Sequence, residues 1–164
     1  LAKELADWRT RVGAQMPVRN PAHESSPIAA RPDGSFLMPA HLGTTHGKNL
    51  QYEPPAHKNT IGFWTIPEDW VGWDLDVRKP GRYEVEILQG CGTGSGGSEV
   101  EISLGDSRLQ FTVMETGGFQ KFMSRRLGIL EVKSPGRLSL EIRPRRKPGV
   151  AVMDVRQVLL TPVP

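Results

Sequence analysis

From Val71 the side chains alternate. Val71, Trp73, Leu75 and Val77 fall on one side, and Gly72, Asp74 and Asp76 on the other. That is the period of a strand with one buried and one wet face. Lys79-Pro80-Gly81 breaks the run, and Tyr83, Val85 and Ile87 begin a second one, so the pattern predicts a hairpin in the wall of a β-sandwich. The stretch 60–77, TIGFWTIPEDWVGWDLDV, also carries three of the four tryptophans. The same period recurs at 36–40, 49–53, 99–104, 109–113, 122–132 with a bend at Gly128, 138–142 and 150–161. In the last of these, Met153 and Val155 share one parity while Val158 and Leu160 share the other, which calls for a β-bulge near Arg156 and Gln157. About nine strands with turns at regular spacing predict an all-β, antiparallel sandwich or jelly roll over 36–164.

Ahead of that domain the period changes. Leu1, Leu5, Trp8 and Val12 lie on one stripe at helical spacing and Gly13 follows, so 1–15 reads as a short terminal helix. Residues 16–35 hold four prolines and several small polar side chains without periodicity and read as an extended linker. The chain opens with Leu and shows no signal peptide, which fits a piece of a longer protein.

Composition narrows the function classes. Eighteen glycines and fourteen prolines sit at the ends of the alternating runs, where an all-β fold turns. A net charge of +3 with mixed signs, and no basic helix or aromatic-basic platform, argues against nucleic acid as a partner. No apolar run reaches membrane-spanning length, so no membrane partner is expected. One cysteine, Cys91, leaves no disulfide framework and no cysteine-based zinc site.

Candidate chemistry is sparse. The glycine-rich Gly90–Ser98 run lacks the following helix and the lysine of a phosphate loop, and reads as an inter-strand loop. Cys91 has no His or Lys near it in sequence to activate it. His23, His41, His46 and His57 show no metal spacing. Glu53 and Asp154 are the carboxylates placed to hold a calcium ion, if there is one; Asp154 lies inside an apolar strand and needs a partner, an arginine being the favoured one. Trp64, Trp70, Tyr52 and Phe119 lie near strand ends or loops, where rings are free to form a sugar-stacking platform, with packing as the competing role. Trp64, Trp70 and Tyr52, with His46 and Lys48 as donors, form the expected ligand site. Arg125, Arg126, Arg143, Arg145, Arg146 and Lys147 suit either anionic groups or a solvated strand end.

Two stretches resemble known families. Residues 5–21, LADWRTRVGAQMPVRNP, look like the C-terminal end of bacterial arylsulfatase-type sulfatases. Most of 36–162 resembles a galactose-binding-like β-sandwich related to carbohydrate-binding modules. The matching residues are His46-Gly47 with Leu50 and Tyr52-Glu53, Ile61-Gly62 with Trp64, Asp69-Trp70-Val71 with Trp73, and Pro80-Gly81 with Tyr83. Thr116-Gly117, Leu127-Gly128, Pro135-Gly136 and Val152-Met153-Asp154 before Leu160 continue the match. The resemblance implies a non-catalytic accessory domain of a sulfatase, in the periplasm or secreted, with a carbohydrate as ligand and the parent catalytic domain as partner. It implies no cofactor beyond a structural calcium, with Asp154 at the last-strand position; the first-strand acid is replaced around His41. The sulfatase C/S-x-P-x-R motif is absent, since Cys91 is followed by Gly-Thr-Gly, so no hydrolase activity is expected of this chain. Two functions stand side by side: a module that holds a polysaccharide, plausibly sulfated, and a structural domain that packs on the catalytic domain without a ligand.

Overall fold

In the computed structural model, which describes residues 26–164, the alternating side chains of 71–77 enter a core between two six-stranded sheets. Val71, Trp73, Leu75 and Val77 are all at most 1% exposed. The expected terminal helix and the first part of the linker lie outside the described residues.

One sheet is centred on β6 (Trp70–Val77). On one side β6 pairs with β11 (Gly136–Arg146), then come β8 (Glu99–Leu104) and β9 (Ser107–Thr112). On the other side β1 (Ile28–Ala29) runs parallel to its end and β3 (Thr44–His46) antiparallel to its start. The second sheet runs β10 (Gly118–Val132), β7 (Gly81–Cys91), β12 (Asp154–Val163), β5 (Thr60–Gly62) and β4 (Gln51–Glu53), with β2 (Phe36–Pro39) also on β12. A single 3-10 turn at Ala40–Leu42 is the only helical element among the described residues.

The predicted hairpin across Lys79-Pro80-Gly81 is not formed. β6 and β7 lie in opposite sheets, and residues 78–80 make a corner between them. Both strands present an apolar face to the same core, one from each side, so their alternation is the same as a hairpin's. The true two-residue hairpin is β8–β9 at Gly105-Asp106, where Gly105 takes φ 57°. The bulge in the last strand is present as a register shift between Val155 and Gln157. β10 shifts register between Arg126 and Gly128, with Gly128 at φ 142°. β12 starts at Asp154 rather than at 150, because Val152 N donates instead to the Trp64 carbonyl of a loop, at 2.8 Å.

Candidate functional site

The expected ligand residues separate into three groups. Trp70, Tyr52 and His46 line one cleft of about 850 Å³ beside β3 and β6, together with His41, Gly72 and Ser139. Gly72 leaves room there for the Trp70 ring, whose Cζ3 stands 3.2 Å from where a Cβ would be. Trp70 itself is enclosed on both faces. The His46 imidazole stacks on it at 3.8 Å with 8° between planes, and the Arg143 guanidinium stands 3.7 Å from the ring centre. Tyr52 is turned toward His41, with ring centres 6.5 Å apart, and donates its hydroxyl to Asn59 Oδ1 at 2.8 Å. Lys48 is exposed and does not line this cleft; its backbone N–H is held by Asp69 at 3.0 Å.

Trp64 is no part of a stacking face. It is 0% exposed, and its indole N–H donates to the Asp69 carbonyl at 2.9 Å. The cause is its neighbour. Phe63 adopts φ 57°, so the chain turns left-handed for one residue, Trp64 enters the core and Phe63 faces water at 51% exposure. A bulky side chain at positive φ is an outlier held by its surroundings. The sequence does contain a signal for it: two consecutive aromatics in a strand region cannot both point inward.

Phe63 borders a polar group of residues at the ends of β4, β5 and β12. Gly62 of β5 lies against Glu53 and Asp154, whose carboxylate oxygens stand 2.3 Å and 3.2 Å from where its Cβ would be. Any side chain at Gly62 would therefore displace them. Glu53 is 8% exposed and Asp154 4%. Lys58 Nζ binds Glu53 Oε2 at 2.6 Å and lies 5.8 Å from the Phe63 ring centre. Gln120 Nε2 donates to Asp154 Oδ2 at 3.3 Å, next in sequence to the half-buried Phe119, whose ring covers Gly92. Arg156 closes the group, stacked 3.9 Å from the Phe122 ring centre and bonded to the Lys58 carbonyl at 2.8 Å. Burial, with the Glu53 charge in support, pushes the Asp154 carboxyl up to about 7.

The expected arginine partner of Asp154 is therefore replaced by Gln120, with Glu53 and Lys58 close by. A calcium ion takes six to eight oxygen ligands. Here two carboxylates converge, and an ammonium already occupies Glu53. Among the described residues no group of three or more His, Cys, Asp or Glu side chains is placed to hold a metal. As arranged, Lys58 supplies the positive charge beside Glu53.

The other candidates are committed to the fold. Gly94 and Gly96 of the glycine-rich loop donate their N–H groups to Glu115 Oε1 at 2.8 and 3.3 Å, so the chain's own carboxylate fills that cradle. The Cys91 thiol is buried and pushed up to about 11 by burial, with the Glu115 and Asp154 charges adding to it. That makes it a poor nucleophile. Arg145 and Arg108 both bind Glu101, Arg126 pairs with Glu84, and Arg125 donates to Gln89 and Thr112.

No protein-family model matches the sequence, and no curated protein matches it. Solved structures do. The C-terminal CBM6 of LamC, a marine laminarinase from Zobellia galactanivorans, superposes with a TM-score of 0.61 at 16% identity, over 77% of this chain and 98% of that one. A family 35 carbohydrate-binding module from Clostridium thermocellum gives 0.58 at 10% identity, over 79% and 98%. The CBM35 from Cellvibrio japonicus Abf62 gives 0.62 at 9% identity, over 77% and 92%. The mosquito-larvicidal Cry4Aa toxin from Bacillus thuringiensis also matches, at 0.65 and 10% identity, over 84% of this chain and 25% of the toxin. At these identities the likeness is one of fold: the chain is a two-sheet jelly roll of the kind seen in CBM6 and CBM35 domains.

Proposed function

We propose that this domain is a non-catalytic, secreted or periplasmic accessory module that binds carbohydrate, with the sugar seated against Phe63. The observation that carries the reading is the Phe63 ring, half exposed and held out by a left-handed backbone beside Glu53, Lys58, Asp154 and Gln120. A pyranose offers a flat C–H face to an aromatic ring and hydroxyls at its rim. Glu53 and Asp154 accept from such hydroxyls, and Lys58 and Gln120 donate to them. The carbohydrate-binding modules among the similar structures support the same class of ligand. The sulfatase parent, and a sulfated polysaccharide as its polymer, rest on the resemblance of 5–21 and of the module's motifs.

A second position for sugar is the cleft between His41 and Trp70, favoured by the meeting there of Trp70, Tyr52 and His46. Its aromatic faces are less free, because His46 and Arg143 cover Trp70. A glycan array followed by affinity electrophoresis separates these readings. Binding of a neutral polysaccharide that Phe63→Ala abolishes and His46→Ala leaves intact supports the Phe63 site, and the reverse assigns the cleft. No retention on any glycan would leave the structural role as the function.

A further inference from the structure

At the opposite end of the sandwich a second cleft, of about 740 Å³, opens between the loop after β1 and the corner joining β6 to β7, with the end of β12 as its wall. Four cations line it, Arg31, Arg78, Lys79 and Arg82, against two acids, Asp33 and Asp76. The acids are engaged. Asp33 accepts from the Ser35 backbone N–H and hydroxyl at 3.0 and 2.6 Å, and Asp76 pairs with Arg78 at 3.1 Å. Arg31 Nε donates to the Ser35 hydroxyl at 2.8 Å. Among the described residues neither Lys79 nor Arg82 pairs with a carboxylate side chain; Arg82 reaches only the Pro164 main-chain oxygen, at 3.4 Å. The cations weighed earlier for anionic groups are engaged elsewhere: Arg126 with Glu84, Arg143 with Glu141 and the Trp70 ring, Arg145 with Glu101, Arg146 with Glu99, Arg125 with Gln89 and the Thr112 carbonyl, and Lys147 with the Gly149 carbonyl. Here the positive charge is left over.

We propose that this cleft binds the sulfate or carboxylate groups of an anionic polysaccharide, as a site separate from Phe63. Arginine and lysine side chains converging from two loops match the oxygens of such groups. A protein partner would use exposed apolar anchors at the centre of its interface. The two aromatic side chains of this cleft, Phe36 and Tyr83, are 1% and 5% exposed, and none of the large exposed apolar residues lies in it. What the cleft offers is charge and hydrogen bonds, the means of holding a hydrated, charged sugar. β7 runs its eleven residues from Gly81 at this cleft to Cys91 near Phe119, a span of roughly 30 Å at strand rise. A short oligosaccharide cannot cover both sites, whereas a long polymer can engage them together and gain avidity. The proposal takes its polymer class from the carbohydrate-binding reading, but the cleft and the Phe63 site stand or fall separately.

The test is calorimetric titration of the 164-residue chain. The probes are a sulfated galactan oligosaccharide, the same oligosaccharide desulfated, an oligogalacturonate, inorganic sulfate and an oligoglutamate. The variants are Lys79→Ala/Arg82→Ala, the charge-matched Arg126→Ala/Arg146→Ala, and Phe63→Ala. The sulfated or uronate oligosaccharide should bind, weaken as salt rises, and lose about tenfold in affinity in Lys79→Ala/Arg82→Ala alone. The salt-sensitive part of that binding should persist in Phe63→Ala. Equal loss in both double variants would reduce it to general charge attraction and overturn the proposal. So would oligoglutamate or inorganic sulfate binding as tightly, or neither anionic oligosaccharide binding at all. Loss of neutral-sugar binding in Phe63→Ala alone leaves this proposal standing and bears only on the other site.

Discussion

Holding Phe63 at φ 57° costs about 1–2 kcal/mol, since left-handed backbone crowds the Cβ of any L-residue. Its ring is half exposed, so little burial offsets that cost. Phe63→Gly should therefore leave stability unchanged or raise it by up to about 1 kcal/mol, the relief of strain being partly cancelled by glycine's backbone entropy. Sugar affinity should fall about tenfold or more with the loss of the stacking face. Urea denaturation and a glycan titration on the same preparation read both signs. A loss of stability above about 2 kcal/mol would mean that the ring packs rather than presents. Asp154 carries a second prediction. Its carboxyl is raised to about 7, so between about pH 4 and 7 the folded chain keeps a proton that the unfolded chain gives up. Stability contributed by this group is present below that window and declines as pH rises through it. Asp33, Asp69 and Glu101, all lowered, act oppositely, and their contributions are lost only as pH falls through the acid range. Wild type should thus lose stability, on the order of a few kcal/mol, from about pH 5 to pH 8, and Asp154→Asn should flatten that slope. Denaturation midpoints at the two pH values check it; an unchanged slope in Asp154→Asn contradicts it.

The elements depend on a few polar anchors as much as on alternation. Asp69, at the start of β6, accepts three backbone N–H groups, from Lys48, Asn49 and Leu50, at 2.9–3.0 Å, and so ties the loop between β3 and β4 to the sheet. Burial pulls its pKa up, but the three amides pull it further down, and the carboxylate stays charged. Asp69→Ala leaves those donors without partners and should cost about 2–4 kcal/mol, while Glu68→Ala, on an exposed neighbour, should cost less than about 0.5 kcal/mol. Comparable midpoints for the two variants in urea would remove Asp69 from this role. Alternation made β6, β7, β8 and β12 readable, and the parity break at Met153 and Val155 against Val158 and Leu160 made the bulge readable too. It left open which strands pair, because β6 and β7 would alternate identically as a hairpin or as a corner between sheets. It placed Trp73 inside but could not tell the buried Trp64 from the half-buried Trp70. Trp64 and Phe63 exchange inside and outside through one backbone torsion that the sequence shows only as two adjacent aromatics.

At the scale of the whole molecule the two sheets place their chemistry at opposite ends. The Phe63 group lies where β7 finishes and β12 begins, and the cationic cleft where β7 starts and β12 finishes. Tyr52, His46 and Trp70, picked from the sequence as one site, do meet, but on the outside of the first sheet and with the indole already stacked. The carboxylates weighed for calcium meet as well, and their neighbours Lys58 and Gln120 were invisible because one comes from the loop 5 residues after Glu53 and the other from β10, 34 residues before Asp154. Everything proposed for this end of the molecule depends on a sugar sitting on Phe63. Titration of the isotopically labelled chain with a neutral oligosaccharide that it retains, followed by amide shifts in NMR, tests this directly. Shifts should concentrate at 58–63 and 119–120 and at Asp154, and Phe63→Ala should remove them. Shifts centred instead on His41, His46 and Trp70, or saturable shifts that survive in Phe63→Ala, would contradict it.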